Sequence, residues 1–134
     1  MGMTIVAVLL LMALAGMAYV RLAPIDPQAW HQPVDQTENA DLAGSAVRVL
    51  EGDAALMQAI DAEMRALPRT QVLAGSPEAG RVTYVTRSAV FGFPDFTTVD
   101  LQGDQIRLFA RLKYGASDLG VNRKRLERVI AAVQ

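Results

Sequence analysis

Cysteine is absent from this chain of 134 residues. Its absence excludes disulfides, thiolate nucleophiles, iron–sulfur clusters, Cys-type zinc sites and an acylated lipoprotein terminus. It is compatible with either side of a bacterial inner membrane. Histidine occurs once, as His31, and one imidazole cannot build the usual catalytic zinc centre. A carboxylate-only magnesium or calcium site stays formally open. There is no Gly-rich phosphate loop, no His-Glu-x-x-His, no Gly-x-Ser-x-Gly and no Cys–His pair. Aromatic residues make up only 6% of the chain, and the basic residues are not interleaved with them as on a single-strand nucleic-acid platform. No cofactor, metal, nucleic-acid partner or catalytic residue is therefore expected, and the reading leans away from an enzyme.

Charge is missing altogether from residues 2–20, where Thr4 and Tyr19 are the only polar side chains. Nineteen helical residues reach roughly 28 Å, close to the hydrocarbon thickness of a bilayer. Tyr19 and Arg21 then suit the headgroup level. Residues 1–21 are read as an uncleaved transmembrane anchor in contact with lipid. A cleaved signal peptide is the competing reading, since Ala13-Leu14-Ala15 and Gly16-Met17-Ala18 offer cleavage sites, but it lacks a basic n-region. Arg21 alone argues for a cytoplasmic C-terminal flank. Large C-terminal domains translocate largely regardless of charge, and a general resemblance to signal-anchored bacterial proteins favours a periplasmic domain.

Residues 22–45 read as a Pro-rich linker. Pro24, Pro27 and Pro33 forbid a continuous helix. His31 reads as an exposed linker residue. Trp30 is amphipathic and can return to the interface or pack on the domain.

Residues 46–134 read as one soluble domain. Residues 46–50 suggest an edge strand. Leu56, Met57, Ile60, Met64 and Leu67 form one helical face, ended by Pro68. Residues 71–74, 81–91, 96–101 and 105–113 read as further strands, with a hairpin turn at Gln102-Gly103-Asp104. In residues 105–113, Ile106, Leu108, Ala110 and Leu112 alternate with Arg107, Phe109, Arg111 and Lys113, which gives a core face and a largely wet one. Leu119, Leu126, Val129, Ile130 and Val133 form a closing helical stripe. The fold class expected is α+β: a two-layer domain with an antiparallel sheet of about four or five strands and two amphipathic helices on one face.

The charge is uneven although the net is only −1. From Asp26 to Glu63 eight carboxylates face one base, Arg48; from Arg107 onward seven cations face Asp118 and Glu127. Two readings follow: halves that fold together and cancel, or a basic face for anionic lipid or an acidic partner.

The densest polar cluster is Tyr114-Gly115-Ala116-Ser117-Asp118-Leu119-Gly120-Val121-Asn122-Arg123-Lys124-Arg125. Asp118 stands where a carboxylate can accept from free N–H groups at a helix start, and Ser117 is an alternative cap. Arg123 and Arg125 sit where cations oppose the helix dipole, so an acidic partner such as Asp95, or an anionic ligand, is expected to offset them. Tyr114-Gly-x-Ser-Asp-x-Gly-x-Asn-Arg, together with Tyr84-Val85-Thr86-Arg87-Ser88 and Gly92-Phe93-Pro94-Asp95, resembles the family catalogued as domain of unknown function 1499, over roughly residues 53–133. The resemblance implies a frequently membrane-associated bacterial protein with an N-terminal anchor and Pro-rich linker, and implies no activity. The first functional reading is a non-enzymatic interaction or accessory domain tethered to the inner membrane, with a membrane-protein partner. The alternative is a small-molecule, lipid or anion-binding module with a site near Arg87, Asp95, Tyr114 and Arg123. Candidate binding residues are Arg87, Asp95, Arg111, Tyr114, Ser117, Asp118, Asn122 and Arg123. A hydrolase using Asp95 and Asp118 ranks last, because nothing in the spacing sets their separation.

Overall fold

A computed structural model describes residues 1–134. The elements are α1 (Gly2–Leu22), α2 (Pro27–Trp30), β1 (Ala40–Leu42), β2 (Ser45–Glu51), α3 (Ala54–Ala66), β3 (Thr70–Ser76), β4 (Arg81–Arg87), β5 (Pro94–Gln102), β6 (Gln105–Leu112) and α4 (Val121–Val133). The six strands form one open sheet of order β1-β2-β6-β5-β4-β3, antiparallel throughout. The α+β class holds, with one more strand than the upper count read from the sequence. The addition is β1, whose three residues carry no alternation of their own. It makes β2 an interior strand rather than the edge.

Period-2 alternation sorts β6 onto two faces. Ile106, Leu108 and Ala110 point to one side with Ala46, Val82, Tyr84 and Val99. Helix α3 presents Met57, Ile60 and Met64 to this face, and α4 presents Leu126 and Val129. Burying each such side chain is worth about 1.5–3 kcal/mol. Two polar devices fix α3. Asp53 caps α3 by accepting from the Leu56 N–H at 3.0 Å. The Tyr84 hydroxyl donates to Asp61 Oδ1 at 2.6 Å while Arg65 Nε bonds Asp61 Oδ2 at 2.8 Å, tying α3 to β4. Burial and the adjacent Asp61 carboxylate both push the Tyr84 phenol pKa well up.

The other face of the sheet is not wet. Residues 27–36 lie across it. Trp30 stacks on Phe96 with ring centroids 4.0 Å apart. His31 Nδ1 meets Thr83 Oγ1 at 2.8 Å. The Val34 N–H donates to the buried Asp100 carboxylate at 2.9 Å, and the Val34 carbonyl accepts from Arg107 at 3.0 Å and Gln102 at 3.1 Å. Val34 is only 1% exposed. The chain read as a linker thus forms a third layer, and His31 is half-buried rather than free. A Pro-rich segment cannot pair as a strand, so side chains of the sheet satisfy its backbone instead.

If this strap is part of the core, Trp30→Ala should lower the unfolding free energy of the full chain in detergent by about 3 kcal/mol. Urea titration followed by the β-sheet circular dichroism band measures it. A change under about 0.5 kcal/mol, as for ordinary surface positions, would mean the segment only drapes over the sheet.

Candidate functional site

One end of the sheet gathers most of the residues singled out by the sequence. The C-terminal ends of β4 and β6, the start of β5 and the N-terminus of α4 meet there. Helix α4 begins after Gly120, whose φ of 79° is left-handed and suits glycine. Asp118 lies two residues before that cap rather than at it. Its carboxylate accepts from the Gly120 N–H at 2.8 Å, the Asn122 N–H at 3.1 Å and the Asn122 side-chain amide at 2.7 Å. An anion there complements the positive end of the helix dipole. Ser117 Oγ takes the Leu119 N–H at 3.3 Å, a lesser turn contact.

Asn122 is fully buried and its carbonyl oxygen accepts from Arg125. Arg125 also reaches Asp95 Oδ2 with both terminal nitrogens at 3.4 Å. The result is a chain of contacts Asp118–Asn122–Arg125–Asp95 locking α4 to the start of β5. Burial raises the Asp95 pKa above the ordinary carboxylate value; Arg125 opposes the shift and the nearby Asp118 adds to it.

Beside this network is an open depression of about 240 Å³, lined by Ser88, Phe93, Asp95, Tyr114, Ser117 and Asp118 among others. Five of the eight candidates, Asp95, Tyr114, Ser117, Asp118 and Asn122, therefore lie together. The other three do not join them. Arg111 is on the opposite face of the sheet, where it donates to the Trp30 carbonyl and to Thr98 Oγ1 and lies over the Trp30 ring at 5.5 Å. Burial there lowers its pKa to about 10. Arg87 points into a neighbouring depression and bonds the Gly92 and Val20 carbonyls. Arg123 is exposed, with no side-chain hydrogen bond or ion pair.

Arg125, absent from the candidates, is the cation that pairs internally. Helical phase carried the signal. Leu126 and Val129 fix the buried side of α4, and residues 122 and 125 flank that stripe, whereas residue 123 is turned about 200° from 125. Arg69 and Arg21 were also missed. Neither stands in a motif, and both are brought to this end only by tertiary structure.

Three helices, the short α2 and the longer α3 and α4, pack with the six-stranded sheet in an α+β unit preceded by a helix long and apolar enough to cross a membrane. The chain belongs to the family described as "Protein of unknown function (DUF1499)", whose model matches residues 20–133. Among solved structures, a DUF4468 family protein from Bacteroides ovatus ATCC 8483 is similar at 11% identity with a TM-score of 0.38, covering 81% of this chain and 90% of that one. No curated protein matches.

Two predictions follow from the network. Arg125→Ala should destabilise the protein by about 1–3 kcal/mol, since it strands Asn122 and Asp95. Arg123→Ala should stay within about 0.5 kcal/mol of wild type. Thermal melts of both variants decide it; equal losses would contradict the pairing described. The second concerns pH. A carboxyl whose folded pKa is raised binds protons more tightly folded than unfolded, so its stabilising contribution is lost as pH rises from its ordinary value through the raised one. The stability of wild type relative to Asp95→Asn should therefore fall as pH rises from about 4, the ordinary carboxylate value, through the raised one, as read from denaturant midpoints. A difference independent of pH would mean Asp95 titrates normally.

Proposed function

We propose that this chain is a single-pass protein of the bacterial inner membrane, held by an uncleaved α1, with a periplasmic α+β domain that acts as a non-enzymatic interaction or accessory module. The observation that carries the reading is the junction of α1 with the domain. No residue of α1 is buried, which fits lipid as its surroundings. Its last turn is nevertheless gripped: Arg87 donates to the Val20 carbonyl at 3.3 Å, and Arg21 donates to the Val90 carbonyl at 2.8 Å. A leader peptide destined for removal has no need of such bonds to the mature fold. Enzymatic use of the two conspicuous carboxylates finds little support. Asp118 is spent on the α4 N-terminus and Asp95 on Arg125.

A second reading is a small-ligand module. It draws on the depression beside Asp95 and Tyr114. Two carboxylates and no cation line that depression, so the chemistry favours a hydroxylated or cationic ligand there over an anion.

C-terminal fusions test the topology. Alkaline phosphatase joined after Gln134 should be active and green fluorescent protein at the same point dark, with the N-terminal peptide still present in the membrane-extracted chain. The reverse fusion pattern would put the domain in the cytoplasm. Loss of the N-terminal peptide would replace the anchor by a signal sequence.

A further inference from the structure

Three adjoining depressions ring the end of the sheet where α1 arrives. The first, of about 260 Å³, is lined by Arg21, Arg69 and Arg87 with no carboxylate. The second, of about 250 Å³, is lined by Arg69, Lys124, Arg125 and Arg128, again with no carboxylate. Arg69 joins these two. The third is the Asp95–Tyr114 depression, which shares Ser88 with the first and Val121 with the second. Of the cations, only Arg125 has an acidic partner; Arg21, Arg69, Arg87, Lys124 and Arg128 have none.

The same end exposes apolar groups that the core does not use. Val90 is 65% exposed and Leu119 88%. Phe91 and Phe93 stack at 5.5 Å and remain partly open, with Tyr114 tilted against Phe93 and Lys113 over the Tyr114 ring. Apolar tips among aromatic rings and unpaired cations are the chemistry of a bilayer interface. Backbone strain concentrates here too. The only non-glycine residues with left-handed φ are Arg69 at 53° and Leu119 at 55°. Such conformations cost on the order of 1 kcal/mol or more and persist where the surroundings or a function require them.

Position agrees with composition. The loop formed by residues 88–93 is fastened to the last turn of α1 through Arg21 and Arg87, and Gly92 leaves room for the Arg21 side chain, which would lie 3.0 Å from an added Cβ. If α1 spans the bilayer, this pole emerges at headgroup level. We propose that the pole formed by residues 88–93, Tyr114, Leu119 and the unpaired cations Arg69, Arg87, Lys124 and Arg128 docks on the anionic phospholipid surface around α1. Lipid phosphates take the two basic depressions, and Val90, Phe91 and Leu119 enter the interface. The proposal rests on α1 as a membrane anchor and adds a second, electrostatic contact to it. It also gives the cations at the start of α4 a counterion outside the protein.

The absence of cysteine allows a single fluorescent label. The full chain carrying Val90→Cys, or Asp104→Cys in the β5–β6 hairpin at the opposite end, is labelled with an environment-sensitive dye. Each is reconstituted into vesicles of phosphatidylcholine alone or with phosphatidylglycerol. In the anionic vesicles the label at 90 should be quenched by shallow spin-labelled lipid and shielded from aqueous iodide, while the label at 104 stays open to iodide in both. Each surface cation strengthens binding to an anionic membrane about fivefold. Lys124→Glu with Arg128→Glu, two exposed positions without internal partners, should therefore open the label at 90 to iodide by more than about tenfold in the docked-to-free ratio. Inorganic phosphate should not reproduce the shielding. A label at 90 as accessible as that at 104 in anionic vesicles, or shielding indifferent to lipid charge and to the double reversal, overturns the docking. Alkaline carbonate extraction separates this from the anchor. A chain that resists extraction with an open label keeps the anchor and loses the docking; a chain that is extracted yet shielded keeps the docking and loses the anchor.

Discussion

The domain depends on covering a charged sheet face with a segment that has almost no regular structure. On the face away from the helices Asp100 is buried and Arg111 half-buried. Ions removed from water are costly unless hydrogen bonds replace the lost solvent. Here the replacement is the backbone of residues 30–34: the Val34 N–H goes to Asp100, the Val34 carbonyl to Arg107 and Gln102, and the Trp30 carbonyl to Arg111. Arg81 completes the Asp100 shell at 3.1 Å. The Trp30–Phe96 stack covers the sheet beside these polar contacts. Remove the strap, and the sheet would present under-bonded ions and the bare Phe96 ring together.

This arrangement explains the unequal legibility of the sequence. The apolar helix is visible because nothing interrupts its hydrophobicity. Strands β4 to β6 and helices α3 and α4 are visible because their periods of 2 and 3.6 are local. The strap is invisible because its partners are remote: 66 positions separate Trp30 from Phe96, and proline content reads the same whether a segment is solvated or packed. Strand β1 is too short for any period. It is defined by pairing with β2 and by Asn39, whose side chain accepts the Val49 N–H at 2.8 Å.

The site was legible in part for the same reason. Asp118 and Asn122 are four residues apart at a helix start, so their contact follows from local geometry. That Asp95 joins them requires knowing that β5 and β6 pair with Asp95 opposite Leu112. Arg111 was grouped with the wrong residues because alternation assigns a face without saying what covers it. No ion pair joins a cation from Arg107 onward to a carboxylate of the Asp26–Glu63 segment, so the charge asymmetry between the two halves is not resolved by direct pairing. Arg48 bridges Asp41 and Glu127 at 2.8 and 3.3 Å, and Arg125 meets Asp95, but most of the C-terminal cations find no such partner.

The strap also sets how far the domain can travel. Only residues 23–26 separate the end of α1 from α2, which is already part of the packed layer. Four residues extend no more than roughly 14 Å. A domain on so short a leash cannot search the depth of a compartment. With α1 held in a bilayer, as proposed, the domain would be confined to a thin shell above it, where its effective concentration toward anything else in the same membrane is high. On that anchor, partners in the same membrane would meet the domain by lateral diffusion within reach of its short leash.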